Sequence, residues 1–227
     1  VHGLADMAEL AARLGSVVTY NREGSVLFAT DFSDAAAQLE LSPYGTGAGM
    51  IISAEESVVG PYSLRVATSA VIDQVSTAAL SVPIPDLATR IGMMAAILWR
   101  NDEVGWQLEV GAYIDSYVAT GTLRYRADLN RLDVRSTGGA FYLLDGGLVL
   151  YPHTAQWHRA KLVVDLASRS YVRAMVNHRE YAVAVPMQVQ ATTEPNRVDV
   201  RLQAFSRDGV ARVVYFDDLV VTHGEPA

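Results

Sequence analysis

The feature that most constrains this chain is a repeated alternation of apolar and polar residues, in short segments from Val17 onward. Alternation with a period of two places successive side chains on opposite faces of a β-strand. Turn-forming stretches separate the segments, among them Gly60-Pro61, Glu194-Pro-Asn196 and Arg207-Asp-Gly209. Many strands at intervals of about 8–12 residues, without helices between them, indicate a sandwich or barrel. We therefore predict an all-β fold of two antiparallel sheets over residues 25–227.

Residues 3–15 instead carry a pattern of helical period, and Gly15 ends it. The apolar face of this short N-terminal helix consists of Leu4, Met7, Leu10 and Leu14. A lone amphipathic helix must bury that face. It can do so against its own sandwich or against a neighbouring subunit, so these side chains are candidate oligomer contacts. Together with a predicted hairpin (residues 17–20 and 25–29), the helix divides the chain into a lead-in, residues 1–24, and the sandwich domain, residues 25–227.

The charge balance argues against several partners. The chain has 18 basic and 25 acidic residues and a net charge of −7, whereas nonspecific binding to nucleic acid needs clustered cations. No apolar stretch approaches the roughly 18 residues of a membrane span. The N-terminal residues lack the basic and apolar regions of a signal peptide. We therefore expect synthesis in the cytoplasm, with neither nucleic acid nor membrane as partner. The alternative is a secreted protein that begins after a removed signal.

Three passages carry a likeness to a known fold family. One leads from Gln156-Trp-His158 through Tyr171 to Asn177, one spans residues 213–221, and one runs from Asp31-Phe-Ser-Asp34 to Gly60-Pro-Tyr-Ser-Leu64. Together they resemble the concanavalin A-like lectin and glucanase sandwiches, including LamG-like and carbohydrate-binding modules. The resemblance implies a jelly roll whose first and last strands pair. After Asn177, in a turn where Asn tolerates positive φ, the family often has glycine and this chain has His178.

The same resemblance implies a structural calcium ion. Carbohydrate-binding jelly rolls commonly hold one Ca²⁺ where the first and last strands meet, and this cation takes several carboxylate and carbonyl oxygens. Asp31 and Asp218 are the candidate ligands, with Asp34 and Asp217 beside them. Strand alternation would send Asp217 and Asp218 to opposite faces, so that at most one of them reaches a given site. A role of these residues in blunting an edge strand stays open.

Aromatic and polar residues of the middle strands form the candidate ligand site. Glycan binding needs exposed aromatic rings that stack on sugars and polar neighbours that bond their hydroxyl groups. By the resemblance, the middle strands form the concave face. The residues assigned to a glycan site are Trp99, Trp106, Gln107, Glu109, Tyr113 and Arg124. The alternative for each aromatic residue is a place in the core or in a subunit interface.

No catalytic residue is predicted. The glucanases of this superfamily place Glu-x-Asp-x-x-Glu on one strand, because retaining hydrolysis needs two carboxyl groups about 5–5.5 Å apart. That motif is absent, and Glu103 and Glu109 would lie about 20 Å apart along a strand. Gln156 and His158 resemble part of a polysaccharide lyase strand, but its Arg and Tyr partners are not identified. We place His158 on a strand beside the core.

These observations leave three hypotheses for function. The first is a non-catalytic structural or adhesive protein of a larger assembly, such as a capsid decoration or tail protein of a phage virion. Its partners would be copies of itself or other virion subunits, with attachment to surface glycans as a further role. The second is a stand-alone carbohydrate-binding module. The third is a polysaccharide hydrolase or lyase. The fold class does not discriminate among them.

Overall fold

The computed structural model describes residues 24–33, 39–43, 45–58, 60–83, 89–152 and 156–226. Within them the regular structure is almost entirely strand, with one 3₁₀ turn at Ala127–Leu129. The strands are β1 (Ser25–Thr30), β2 (Glu40–Ser42), β3 (Gly49–Ser53), β4 (Ser63–Ala67), β5 (Val75–Val82), β6 (Arg90–Trp99), β7 (Val104–Ile114), β8 (Tyr117–Arg126), β9 (Arg131–Arg135), β10 (Phe141–Asp145), β11 (His158–Asp165), β12 (Ser170–Val176), β13 (Arg179–Ala182), β14 (Gln188–Ala191), β15 (Arg197–Ser206) and β16 (Val213–His223).

Two predictions fall on residues that the structure does not describe. The N-terminal helix over residues 3–15, with its apolar face, lies outside the described residues, as does the first arm of the predicted hairpin. The boundary between residues 1–24 and 25–227 therefore stays a prediction. In the part of the chain that is described, no helix is long and apolar enough to cross a membrane.

The strands form two antiparallel sheets, which confirms the predicted all-β architecture. Sheet A has the order β13-β12-β11-β6-β16-β4-β3, and β1 pairs with the C-terminal half of β16. Sheet B has the order β10-β9-β8-β7-β15-β5-β2, and β14 pairs with the N-terminal half of β8. The pairing of β1 with β16 confirms that the first and last strands of the predicted sandwich lie together.

The hydrophobic core lies between the sheets and takes every second residue of the central strands. The inward residues of β6 in sheet A are Ile91, Met93, Ala95, Ile97 and Trp99. The inward residues of β7 in sheet B are Val104, Trp106, Leu108, Val110 and Ala112. Because side chains alternate along a strand, the intervening residues point to the outer face of each sheet. The outer faces therefore carry the side chains that are available for function.

An aromatic cluster fills one end of the core. The rings of Trp99 and Trp106 lie 6.4 Å apart between centroids, and Tyr125 lies 5.6 Å from both. His158, at the start of β11, stacks 4.9 Å from Trp99. Its side chain is buried, which confirms the prediction of a strand residue beside the core. Trp99 and Trp106 are thus packing residues of the sandwich.

The His158 ring is held as a neutral group. Asn177 accepts the backbone N–H of Arg159 with its side-chain oxygen, so its amide nitrogen faces Nδ1 of His158 and donates to it over 3.0 Å. Nε2 then donates to the carbonyl of Tyr151, also over 3.0 Å. Burial lowers the pKa of His158, in agreement with this arrangement. Asn177 has a φ of 52°, which confirms the predicted left-handed turn residue.

Tyr171, on β12 of sheet A, connects the two sheets. Its hydroxyl donates to the carbonyl of Arg135 over 2.6 Å and accepts the backbone N–H of Thr122 over 2.8 Å. The hydroxyl fills the place in sheet B where β9 stops pairing with β8 and β14 begins to do so. Burial raises the pKa of Tyr171, so the phenol stays protonated and able to donate.

We predict that Tyr171→Phe destabilises the fold. The substitution keeps the ring but leaves the buried N–H of Thr122 without this acceptor, and an unsatisfied buried group costs about 1–3 kcal/mol. Chemical denaturation should show the loss as a lower midpoint. The control is Tyr142→Phe, since Tyr142 is 55% exposed and should change stability by less than about 0.5 kcal/mol. Equal stability of the two variants would contradict the connecting role of the hydroxyl.

Candidate functional site

The outer face of sheet B carries two neighbouring cavities. The larger, of about 610 Å³, is lined by Glu40, Ser42, Thr77, Ala79, Ser81, Tyr113, Glu194, Arg197, Asp199, Arg201 and Gln203. The smaller, of about 340 Å³, is lined by Asp73, Val75, Gln107, Glu109, Arg124, Arg135, Phe141, Gln203 and Phe205. Gln203 borders both. We call the two cavities together the sheet B groove.

Strand alternation explains why the lining is polar. In β15, Val198, Val200 and Leu202 enter the core, so Asp199 and Arg201 point outward. In β7, Gln107, Glu109 and Tyr113 are the outward residues with side chains beyond Cβ, and Gly105 and Gly111 occupy the other outward positions. β7 and β15 pair along their whole lengths, with Glu109 opposite Arg201 and Gln107 opposite Gln203. The pairing brings two polar strand faces side by side in the middle of the sheet.

An ion pair anchors the centre of the groove. Nη1 of Arg201 lies 2.6 Å from a carboxylate oxygen of Glu109, and Nη2 donates to the Tyr113 hydroxyl over 3.1 Å. The second oxygen of Glu109 accepts from Thr122 over 3.1 Å. Burial disfavours the charge on Arg201, but the ion pair with Glu109 outweighs it and raises the pKa of the guanidinium. The pair therefore holds both side chains in fixed positions.

Asp199 joins the larger cavity to this network. One of its carboxylate oxygens accepts from Ser81 over 2.8 Å and from Arg197 over 2.9 Å, and the other lies 3.4 Å from Nη2 of Arg201. The Arg197 guanidinium also lies 4.0 Å above the centroid of the Tyr113 ring. One face of that ring is thereby covered. The larger cavity thus presents charged and hydroxyl groups more than bare aromatic surface.

The structure brings four of the six predicted glycan-site residues together. Gln107, Glu109 and Arg124 line the smaller cavity, and Tyr113 lines the larger one. The assignment of Trp99 and Trp106 to an exposed site is wrong, because both are at most 1% exposed. The physical reason is the pleat: Trp106 and Gln107 are consecutive in one strand and cannot share a face. The alternative place for these aromatic residues, the core, is the observed one.

Several lining residues were not identified from the sequence. Asp199, Arg201 and Gln203 alternate with apolar residues in β15, so the sequence does indicate that they share one polar face. Arg135 and Phe141 lie on β9 and β10, directly opposite each other. Arg135 and Phe141 reach the cavity through the successive pairing of β8, β9 and β10. What places Asp199, Arg201 and Gln203 beside β7 is pairing between strands distant in sequence. No local pattern carries that information.

The predicted calcium ligands are engaged in other contacts. Asp218 forms an ion pair with Arg159, and Asp31 accepts the backbone N–H of Ser33 over 3.0 Å. The expectation that alternation separates Asp217 from Asp218 is wrong. A β-bulge opposite β6, with φ of 49° at Asp218, interrupts the alternation, and both carboxylates are fully buried.

The contacts of Asp31 and Asp218 do not indicate a calcium site. The neighbouring Asp34 lies outside the described residues. Asp217 accepts the backbone N–H of Val58 over 2.6 Å, so it too has a structural contact. Among the described residues, no group of three or more His, Asp or Glu side chains is placed to hold a metal ion. Calcium binding at Asp31 and Asp218 stays a prediction.

Comparison with known proteins identifies the fold. No protein-family model matches the chain, and no curated protein matches it. An endo-β-1,4-glucuronan lyase from the fungus Trichoderma reesei has a TM-score of 0.59 at 10% identity, over 88% of this chain and 96% of the lyase. A Bacillus subtilis protein with a galectin-like fold has a TM-score of 0.57 at 12% identity, over 91% and 99%.

A phage module belongs to the same set. The CBM2 module of the evolved Dit of Lactobacillus casei BL23 phage J-1 has a TM-score of 0.51 at 9% identity, over 88% of this chain and 95% of the module. At these identities the matches show the fold alone. The fold is that of the concanavalin A-like jelly-roll sandwiches, a class that contains both carbohydrate-binding modules and enzymes. The fold therefore does not discriminate between binding and catalysis, and only the residues of the groove can do so.

We predict that Glu109→Gln lowers the free energy of unfolding by about 2–3 kcal/mol, because it breaks a largely buried ion pair and leaves the guanidinium of Arg201 with less compensation. Denaturation with urea measures the change. Glu40→Gln is the matched control, since Glu40 is exposed on the same face and should change stability by less than about 0.5 kcal/mol. A Glu109→Gln variant as stable as the control would show that the pair does not hold the groove together.

Proposed function

We propose that the protein binds polysaccharide chains in the sheet B groove without cleaving them. The main support is the open outer face of sheet B, where hydrogen-bonding side chains line two neighbouring cavities that share Gln203. A linear polymer can lie across both cavities at once. Sugar hydroxyl groups both donate and accept hydrogen bonds, and the carboxylate, amide, guanidinium and hydroxyl groups of the groove offer both kinds of partner.

The ion pairs of the groove also suit a binding surface. Glu109, Asp199 and Tyr113 are all bonded to Arg201. Side chains that are already held in place lose little conformational freedom when a ligand binds, and this favours affinity. The ligand then contacts the polar groups at the rim of this network that are accessible to solvent.

Absence of cleavage is part of the proposal. The two carboxylates in the middle of the groove, Glu109 and Asp199, contact the same guanidinium, that of Arg201. Glycoside hydrolysis needs one carboxyl group that is protonated and another that is ionised. Each carboxylate bonds this shared arginine and also a hydroxyl group, that of Thr122 for Glu109 and that of Ser81 for Asp199, so the two have similar surroundings and not the different ones that the two roles require. A polysaccharide hydrolase or lyase is the alternative that the assay below includes.

We predict that Gln203→Ala and Tyr113→Ala each weaken polysaccharide binding about 5- to 30-fold, the equivalent of about 1–2 kcal/mol for a lost contact. Affinity electrophoresis against a panel of β-glucan, xylan, galactan, alginate and polygalacturonate measures the effect. Arg179→Ala is the control, because Arg179 is half-exposed at the edge of sheet A and should bind as the unmodified protein does.

Two results would contradict this proposal. Binding to no polysaccharide in a broad panel would reject the groove as a glycan site, and so would binding that only the Arg179 variant weakens. The same mixtures are assayed for new reducing ends and for unsaturated sugar ends. New reducing ends without unsaturated sugar ends would replace the binding proposal by hydrolysis, and new reducing ends together with unsaturated sugar ends would replace it by elimination.

We further propose that this binding serves a larger assembly, with copies of the chain or other subunits, such as those of a phage virion, as partners. Two observations favour this. The sequence of residues 3–15 predicts a helix whose apolar face would need a partner, and one structural neighbour is a module of a phage protein. Jelly-roll sandwiches recur as building blocks of capsids and fibres.

Size-exclusion chromatography with light scattering tests the assembly role. We expect a closed oligomer, and we expect deletion of residues 1–15 to yield a folded monomer, because the apolar helix face would supply the contact. Circular dichroism checks that the shortened chain keeps its strands. A monomeric full chain that still binds glycans would favour a stand-alone binding module, and loss of the fold on deletion would assign the helix to the sandwich itself.

A further inference from the structure

The smaller cavity of the groove contains a cation that no carboxylate of the described residues compensates. Arg135 projects outward from β9 into this cavity, since its neighbour Val134 enters the core. Its Nε has no hydrogen-bond partner among the described residues, and its guanidinium lies 5.7 Å from the centroid of Phe141. In the described part of the chain, no Asp or Glu lies within ion-pair distance of Arg135.

The other charges of this cavity are already paired. Asp73 forms an ion pair with Arg207, and Glu109 forms one with Arg201. The second guanidinium of the cavity, that of Arg124, is bonded to Asp133 over 2.9 Å and lies 3.2 Å from the centroid of Phe141. The remaining uncompensated charge of this cavity, among the described residues, is therefore positive.

A side-chain amide that bonds none of the described residues lies in the same cavity. The side chain of Gln107 is 8% exposed, and no hydrogen bond connects it to any described residue. A nearly buried amide normally has partners, because leaving its donors and acceptor unsatisfied is costly. Gln107 therefore differs from Gln203 on the neighbouring strand, which donates to Thr77 over 3.2 Å. Its amide is free to bond a ligand in the cavity.

We propose that this cavity selects acidic sugars, and that Arg135 and Gln107 hold the carboxylate of a uronate unit. The inference rests on the proposed function, since it names the class of polysaccharide that the groove takes. Guanidinium groups match the planar geometry of a carboxylate and bond it with two parallel N–H groups. The Gln107 amide adds a donor for the carboxylate and an acceptor for a hydroxyl of the same sugar.

The surroundings limit this preference to one end of the groove. The larger cavity holds three carboxylates, those of Glu40, Glu194 and Asp199, against two guanidinium groups. A polymer with a negative charge on every unit is attracted electrostatically at Arg135 and repelled near Glu40. The geometry thus favours polymers in which the acidic unit can be placed at the smaller cavity, and it predicts binding that weakens with added salt.

The test compares one polymer with and without its carboxylates. Oligosaccharides of polygalacturonate, polyglucuronate and alginate are titrated by calorimetry, beside the same oligosaccharides after chemical reduction of the carboxyl groups to alcohols. We expect at least one acidic series to bind about tenfold or more tightly than its reduced form. Arg135→Gln should abolish that difference, Gln107→Ala should diminish it, and Arg179→Gln, with the same charge change elsewhere, should preserve it.

Each outcome separates this inference from the proposed function. Equal affinity for acidic and reduced oligosaccharides, unaffected by Arg135→Gln, would overturn the acidic preference and leave polysaccharide binding standing. Binding to none of them, nor to neutral glycans, would overturn both. Dextran sulfate is a further arm: if it binds as tightly as the uronates and depends equally on Arg135, selection for a carboxylate is overturned. Thermal unfolding confirms that each variant is folded, as expected because Tyr171 bonds the backbone and not the side chain of Arg135.

Discussion

The pleat of β7 and its pairing with β15 govern both the stability and the chemistry of this molecule. Trp106 and Leu108 of β7 build the core, and the residues between and beside them build the groove. A shift of one residue in the register between β7 and β15 would exchange the two faces, sending Arg201 into the core and apolar side chains to the surface. The ion pair of Arg201 with Glu109 can form only when β7 and β15 pair in the observed register. The same contact therefore depends on that register and holds two side chains of the groove in place.

The outer faces of the two sheets differ because the charged side chains on the outer face of sheet A are bonded to one another. On sheet A, the buried carboxylate of Glu225 lies across the strands, within 2.9 Å of Lys161 and of Arg173. Thr222 donates a short hydrogen bond to the same carboxylate, and the ion pair of Arg159 with Asp218 continues this layer. Sheet A thus uses its outward charges for internal contacts. Sheet B leaves part of its outward charges facing solvent, and this places the candidate site there.

Local pattern was sufficient to predict that the chain is built of strands, and insufficient to predict which strands are neighbours. The alternation in residues 104–114 and 197–206 is readable in the sequence, but their pairing is not, because it depends on the folded chain as a whole. Gln107, Glu109 and Tyr113 could be grouped because they lie on one strand, with Arg124 on the next strand, whereas Arg201 on β15 could not be added. That these residues bind a glycan stays a prediction. The error at Trp99 and Trp106 has a different origin. Large aromatic side chains serve either a core or a binding face, and composition alone cannot decide between the two.

The bulge at Asp217 and Asp218 shows where a prediction from strand alternation fails. One extra residue in a strand reverses the parity of every position after it. Left-handed backbone at a non-glycine residue is uncommon, and Asp is among the residues that tolerate it because its short side chain bonds the local backbone. Here Asp217 accepts the N–H of Asp218 over 2.7 Å, which stabilises the bend. Asp218, one of the two candidate calcium ligands, and its neighbour Asp217 thus make contacts within the observed fold. Among the described residues that line the smaller cavity, the guanidinium without a carboxylate partner is that of Arg135 on sheet B, and for that reason we propose the ligand site there.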